Sequence, residues 1–134
     1  MAFIPHAYVD GEVRPWQYLP ADDGTYTVGQ ALVLTSGHLV PVSSGVGEDT
    51  DEGRHYVCMA NKVIATDGDL LPVVEADEEV VWEAPLTAAS SGIAVGTAYT
   101  ITAAGVTATT TKGCFIVKEF DGKAQGDLVR GILA

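Results

Sequence analysis

The hydrophobic positions of the chain fall in short runs of four or five residues, separated by polar breaks that contain glycine. Runs of this length, bounded by Ser-Gly, Asp-Gly and Ala-Gly pairs, are typical of β-strands joined by tight turns. No segment repeats its apolar positions at the helical period of about 3.6 residues with caps at both ends. The strand-like runs lie at 31–35, 39–42, 55–59, 70–74, 99–102 and 114–117.

The residue composition favours the same secondary structure. Val, Thr and Ile make up 36 of the 134 residues, and β-branched side chains fit a pleated sheet better than a helix. The one candidate helix, 75–84, contains Val80-Val81-Trp82 and is followed by Pro85. A strand is therefore the better interpretation there too, and the sequence predicts an all-β protein.

Two parts of the chain resemble each other. Residues 28–37 recur as 95–105 with one inserted residue, and 56–70 aligns with 114–128 without a gap. Turn chemistry can produce some of this likeness, because Gly and Asp are common in turns. We predict two similar units, 25–83 and 92–134, each a hairpin followed by a strand, a Gly-Asp turn and a strand. Joined by a loop at 84–92, they would form one small β-sandwich or barrel.

Residues 1–24 differ from the rest of the chain. Pro5, Pro15 and Pro20 disfavour regular strand pairing, yet the segment is rich in large apolar side chains. We predict an extended N-terminal arm whose anchors lie in grooves, either of its own domain or of a neighbouring subunit. The candidate anchors for partner binding are Phe3, Ile4, Tyr8, Trp16 and Tyr18.

The charge balance excludes several classes of partner. The chain has 7 Lys and Arg against 18 Asp and Glu, a formal net charge of -11, which disfavours binding to nucleic acids or to anionic membranes. A chain of this length corresponds to a single domain. No apolar run reaches the roughly 18–20 residues that cross a bilayer, and the first twenty residues lack the features of a signal peptide. We therefore expect a soluble, unprocessed protein.

The residues that usually carry chemistry do not form a recognisable motif. None of the serines lies in a Gly-x-Ser-x-Gly turn, and His6, His38 and His55 lack the spacing of metal ligands. Cys58 and Cys114 have no Cys-x-x-Cys partner, so reduced thiols in apolar strands are expected rather than a disulfide. We expect no catalytic residue, metal ion or cofactor, and hence not an enzyme.

Two acidic stretches also favour a structural interpretation. The run 48–52 follows Gly45-Val46-Gly47 and would repel a phosphate, and it lacks the ligand spacing of a calcium loop. It is expected to be a solvated loop. The acids of 75–83 are expected to face solvent along a sheet edge, where charge discourages aggregation, rather than to form a glycosidase pair.

The turn-and-strand motifs resemble those of the small capsid decoration proteins of tailed bacteriophages and prophages, also called cement or head-stabilising proteins. The resemblance spans about residues 18–132. It is carried by the hairpin at 28–39, the strand at 55–59, Gly68-Asp69-Leu70-Leu71-Pro72-Val73, and the stretches 106–113 and 126–130.

The resemblance implies a non-enzymatic, β-rich protein, often a trimer, that binds the outer surface of a capsid and stabilises contacts between major capsid proteins. It implies a location on the virion after synthesis in the cytoplasm of the host bacterium. The aromatic arm, residues 1–17, has no fixed counterpart in the family pattern. Its docking on neighbouring subunits, with the β-body projecting outward, is an inference from its apolar side chains.

The alternative is a carbohydrate-binding or adhesive β-module displayed on a virion. Such a module needs an exposed platform of aromatic side chains backed by Asp or Asn. Trp82, Tyr99 and Tyr56 are the candidates, but each lies in a strand-like run and is expected in the core.

Overall fold

The computed structural model describes residues 2–9, 15–43, 54–111 and 113–133. These residues form β-strands, turns and loops and no helix, so none of them belongs to a helix that could cross a membrane. The acidic run 48–52 lies outside the described residues, as does most of the loop predicted at 43–53. The strands are β1 (Ile4–Tyr8), β2 (Gln17–Pro20), β3 (Gly24–Tyr26), β4 (Ala31–Thr35), β5 (His38–Pro41), β6 (His55–Cys58), β7 (Lys62–Ile64), β8 (Leu70–Ala76), β9 (Val80–Pro85), β10 (Ala98–Tyr99), β11 (Ile101–Thr102), β12 (Gly105–Val106), β13 (Phe115–Phe120) and β14 (Leu128–Leu133).

Most strands belong to two antiparallel sheets of five strands each. The first sheet has the order β2-β8-β6-β4-β5, and the second has the order β1-β9-β14-β13-β10. Two smaller ribbons, β3-β7 and β11-β12, complete the described structure. The all-β prediction is confirmed, and the segment interpreted as a strand rather than a helix forms the end of β8 and β9.

Four strands of the first sheet correspond to four strands of the second in the same order, β2-β8-β6-β4 and β9-β14-β13-β10. Their registers agree as well. The equivalent cross-strand pairs are Pro20↔Leu70 with Pro85↔Leu128, Cys58↔Val73 with Val117↔Gly131, and Ala31↔Val57 with Ala98↔Ile116. The two units therefore share strand order and register. The gapless alignment of 56–70 with 114–128 is out by one residue along β6 and β13, because Cys58 corresponds to Val117 rather than to Ile116.

The equivalent units begin earlier than the sequence alignment placed them. Their first strands are β2, from Gln17, and β9, from Val80. The sequence assigned β9 to the end of the first unit, but β9 pairs with β14 and opens the second unit. Pairing between β9 and its neighbours is non-local, which short-range sequence patterns do not report.

Matching turns and bridges support the same correspondence. Gly29 and Gly96 both have φ +88°, a left-handed conformation that favours glycine. Parallel bridges join Ala21 to Leu39 in the first unit and Leu86 to Val106 in the second. Each bridge joins the residue that follows the first strand of a unit to the hairpin at the other end of that unit. The two ends of each unit are therefore close together, as in a partly closed barrel.

Both faces of the first sheet are buried. Along β4, Ala31 and Val33 belong to the main core, which also contains Trp82 of the second sheet, whereas Leu32 belongs to a smaller core. The ribbon β3-β7 contributes Tyr26 and Ile64 to that smaller core. Successive strand residues point to opposite faces, so this alternation places the first sheet between the second sheet and the ribbon, as in a small β-sandwich.

The N-terminal segment is extended, and its described parts form edge strands of the two sheets. Strand β1 pairs with β9, and β2 pairs with β8. The prediction that the prolines prevent regular pairing is wrong for Pro5 and Pro20, which lie in these strands. An edge strand bonds to one neighbour only, so a residue without an N–H is tolerated there.

Substituting Gly131 with Ala is expected to destabilise the domain. A Cβ at this position of β14 would lie 2.2 Å from the Ile116 carbonyl oxygen and 2.7 Å from the Phe115 ring. Relieving this overlap should cost about 1–3 kcal/mol of unfolding free energy, measurable by urea denaturation.

Gly92→Ala is the matched control. No atom lies within 4 Å of the Cβ that it would add, so its unfolding free energy should stay within about 0.5 kcal/mol of the wild-type value. Equal stability of the two variants would contradict the packing described around β14.

Candidate interaction surface

The five predicted anchors are divided between the interior and the surface. Phe3 is fully buried, Ile4 and Tyr8 are half-buried in β1, and Trp16 and Tyr18 are 53% and 60% exposed. Tyr8 packs against the main core of its own chain. Trp16 and Tyr18, two residues apart in the chain, are therefore both exposed, and the other three residues lie within the fold.

Phe3 fixes the start of the described chain. Its ring lies 6.1 Å from that of Phe115 at an angle of 57°, and its backbone N–H donates to the Gly29 carbonyl at 2.8 Å. A Cβ on Gly29 would meet the Ala2 nitrogen at 2.8 Å, so glycine allows this close passage. Phe3 thus lies in the core of its own domain, which is one of the two locations predicted for the anchors of the arm.

Trp16, Tyr18 and Leu70 form an exposed apolar surface, which we call the aromatic edge. Tyr18 pairs with Pro72 across β2 and β8, and Pro20 pairs with Leu70. Directly opposed residues share one face of a sheet, so Tyr18 and Leu70 lie on the same face. Leu70 is 50% exposed, and its carbonyl accepts a hydrogen bond from Lys62 Nζ at 2.7 Å.

The sequence analysis missed Leu70. It treated 70–74 as one apolar run, whereas the structure buries Leu71 and exposes Leu70. The position of Leu70 directly after the Gly68-Asp69 turn was the available signal, since the first residue of a strand often lies outside the layers that cover the sheet. Isolated exposed apolar residues are ordinary. Here Tyr18 and Leu70 share one face of the β2-β8 pair and Trp16 directly precedes β2, so three exposed apolar residues occur at one edge of the sheet, which fits an interaction site.

Three clefts of the described structure differ in the side chains that line them. One, of about 670 Å³, lies between the residues around Thr27 and Val28 and the hairpin around Ala103, and none of its lining side chains is ionisable. A second cleft, of about 310 Å³, is lined by Ser90, Ser91, Tyr99 and small residues. A third recess, of about 80 Å³, lies beside Pro15 and Gln17 and contains the carboxylates of Glu75 and Asp77.

A network of charges covers the outer face of the second sheet. Arg130 Nε lies 2.8 Å from Glu83, and the guanidinium also contacts Glu119 at 3.3 Å and Asp121 at 3.0 Å. Hydrogen bonds that Arg130 donates to Asp121 and Glu83 raise the pKa of Arg130 above its ordinary value. The ring of His6 on β1 lies 3.7 Å from Glu83 and from Glu119. Ionisable side chains from β1, β9, β13 and β14, and from the residue directly after β13, thus lie together on this face.

A smaller polar cluster lies at one end of the first unit. His38 Nδ1 is 2.9 Å from Asp22, and the Asp23 backbone N–H donates to Asp67 Oδ1 at 2.7 Å. The side-chain hydrogen bond with Asp67 raises the pKa of Asp23, and the backbone hydrogen bond from Asp23 lowers the pKa of Asp67. In the part of the chain that the structure describes, no three His, Cys, Asp or Glu side chains are arranged to hold a metal ion.

Cys58 in β6 and Cys114 directly before β13 are both buried, and no disulfide joins them. Burial raises the pKa of the Cys58 thiol, and Cys58 Sγ contacts the Ala60 carbonyl at 3.1 Å. Cys114 Sγ lies 3.9 Å from Nε2 of the buried His55. Neither thiol is accessible to a substrate in this structure.

The acids of 75–83 differ in environment. Glu78 is exposed, whereas the Glu83 side chain is only 16% exposed and is held by Arg130. Glu75 lies 3.5 Å from Arg54 and accepts a hydrogen bond from the Tyr56 hydroxyl. The expectation of a uniformly solvent-facing acidic edge is therefore wrong for Glu83, which belongs to the charge network of the second sheet.

The comparisons with known proteins give no assignment. The sequence matches no protein-family model and no curated protein.

Replacing Phe3 with Ala should destabilise the domain by about 3–5 kcal/mol, because a buried aromatic ring is lost and a cavity remains. Trp16→Ala is the control, since its side chain is half exposed and should change the unfolding free energy by less than about 1 kcal/mol. Urea denaturation measures both. Equal effects would mean that Phe3 is not a core residue.

Asp67→Asn should lower the pKa of Asp23 toward its ordinary value, because it removes the carboxyl that raises this pKa first through a side-chain hydrogen bond and second through its negative charge. Carboxyl chemical shifts followed by NMR during a pH titration measure this. The pKa of Asp67 is lowered in the folded state, in contrast to that of Asp23. The ionised Asp67 carboxylate therefore stabilises the folded state at neutral pH, and this stabilisation is lost as the pH falls through the folded pKa.

Glu78→Gln removes an equal charge from an exposed site elsewhere and should leave the pKa of Asp23 unchanged. A similar response to both substitutions would indicate general charge rather than the Asp23–Asp67 hydrogen bond.

Proposed function

We propose that this protein is a non-enzymatic structural protein that binds the outer surface of a bacteriophage capsid and stabilises contacts between major capsid proteins. The observation that carries the proposal is the aromatic edge: Trp16 and Tyr18 are more than half exposed beside Leu70. Burying such side chains against a partner provides roughly 1.5–3 kcal/mol each. The sequence resemblance to decoration proteins supplies the identity of the proposed partner.

The charge of the chain supports this proposal. A net charge of -11 gives little affinity for the packaged genome and favours solubility at high copy number. Under this proposal the protein forms a homo-oligomer, with a trimer favoured, so that several copies of the aromatic edge engage the shell together. Multivalent attachment converts modest individual contacts into stable binding.

The proposed capsid contact involves only part of the candidate anchors. Phe3 is buried, and Ile4 and Tyr8 belong to an edge strand of the second sheet. We therefore restrict the proposed capsid contact to Trp16, Tyr18 and Leu70. Deletion of residues 1–17 is then an unsuitable test, because it would also remove a core side chain and an edge strand.

The carbohydrate-binding alternative loses its candidate residues. Trp82, Tyr99 and Tyr56 are 0%, 3% and 8% exposed, so they form no platform on the surface of the described structure. A sugar ring needs an exposed aromatic face on which to stack. We do not adopt this alternative, and glycan-array binding that survives substitution of Trp16 and Tyr18 would restore it.

The double variant Trp16→Ala/Tyr18→Ala should remain folded but bind capsids at least about tenfold more weakly. The measurement is co-sedimentation with purified heads, lacking this protein, of the phage or prophage that encodes it. Bound protein is quantified over a range of concentrations.

Val95→Ala is the matched control, because Val95 is 61% exposed in the second unit and lies outside the aromatic edge. It should bind as the wild type does. Absence of wild-type binding to the heads would overturn the proposed function, and full occupancy by the double variant would overturn the role of the aromatic edge.

A further inference from the structure

The two units differ at one edge. In the second sheet, β1 covers the outer edge of β9 through an antiparallel pairing that includes Ile4↔Glu83 and Tyr8↔Val80. The strand equivalent to β9 in the first sheet is β2, which ends that sheet. Among the described residues, no strand pairs with the outer edge of β2 itself. The bridge from Ala21 to Leu39 of β5 lies directly after β2, as the bridge from Leu86 to Val106 lies directly after β9.

The backbone of β2 offers hydrogen-bonding groups at this edge. The Pro72 carbonyl accepts a bond from the Met59 N–H at 3.0 Å, so the polar group of Pro72 faces β6 rather than β2. In an antiparallel ladder, residues alternate between their two neighbours. Tyr18, directly opposite Pro72, therefore directs its own N–H and C=O away from β8.

We propose that the outer edge of β2 is a strand-addition site that receives a short extended segment of a partner protein in antiparallel orientation. The second unit shows the geometry, since β1 occupies the equivalent edge. The inference concerns the mode of binding and does not depend on the partner being a capsid protein. Main-chain hydrogen bonds would provide affinity, and alternate side chains would provide specificity.

The length and chemistry of the segment follow from the edge itself. Pro15 and Pro20, which lack N–H donors, limit the pairing to about four residues between them. Transferring the β1–β9 register to β2 places the Ile4 equivalent opposite Tyr18, so an apolar side chain there would pack on the aromatic edge. On the other face, Glu75 and Asp77 lie beside Pro15 and Gln17, which favours a neutral or basic side chain.

A second copy of this chain is a poorer occupant. Its own β1 is held in place by Phe3 in the main core and by pairing with β9. Releasing β1 for exchange would expose that ring and open the second sheet. The segment is therefore assigned to a different protein.

The test uses the intact protein and a synthetic peptide of residues 2–9, the sequence that covers the equivalent edge. Peptide at millimolar concentration should shift the amide NMR signals of Trp16 and Tyr18 saturably and slow hydrogen exchange at the Tyr18 amide. A peptide with Ile4→Pro, which cannot donate a backbone hydrogen bond at that position, should bind at least about tenfold more weakly.

Two protein variants separate backbone from side-chain effects. Tyr18→Pro removes an N–H that does not bond to β8, so the fold should persist while peptide binding is lost. Tyr18→Phe should bind as the wild type does. If Tyr18→Pro fails to fold, the peptide pair on the wild-type protein still decides the outcome.

Three results would overturn the inference: no saturable shift at Trp16 and Tyr18, equal binding of the two peptides, or shifts of β2 amides that depend on protein concentration without peptide. The last would assign the edge to a second copy. Peptide binding without capsid binding would leave this inference standing and overturn the proposed function. Capsid binding without peptide binding would overturn only this inference.

Discussion

The first sheet contributes residues to a core on each of its two faces, and this constraint decides which of its apolar side chains can reach solvent. One face contributes to the main core shared with Trp82 and Phe115, and the other packs on the ribbon β3-β7. An apolar side chain on a sheet covered in this way reaches solvent only at an end or an edge of a strand. Trp16 directly precedes β2, Tyr18 lies in this edge strand and Leu70 begins β8, and these positions account for their exposure.

The internal repeat explains both the regularity and the asymmetry of the fold. Two units share strand order, register and closing bridges, yet only the second has an additional edge strand, β1. That strand also brings His6 to the charge network around Arg130. The outer face of the second sheet is thereby covered by paired charges, whereas the edge of the first sheet is left with aromatic side chains. The proposed partner contact lies where the repeat is incomplete.

The strand content, the turns and the buried thiols could be predicted because each depends on local chemistry. β-Branched runs between Gly-Asp turns indicate strands wherever they pack. Trp82, Tyr99 and Tyr56 were expected in the core because they lie in apolar runs, and they are buried. For the candidate anchors, the sequence left burial in the chain's own domain and exposure to a neighbour both open: Phe3 is buried, Trp16 and Tyr18 are exposed, and the exposed Leu70 was not among the candidates.

The sequence by itself determined that the chain is all-β, that two similar units recur along it, and that its charge disfavours nucleic acid. These properties arise from residue type and short-range order. Only the tertiary structure decided which aromatic residues of the N-terminal segment are buried, and which unit β9 joins. Those outcomes depend on contacts between residues far apart in the chain, such as Phe3 with Phe115, and an apolar side chain near a proline is equally compatible with a core and with an exposed edge.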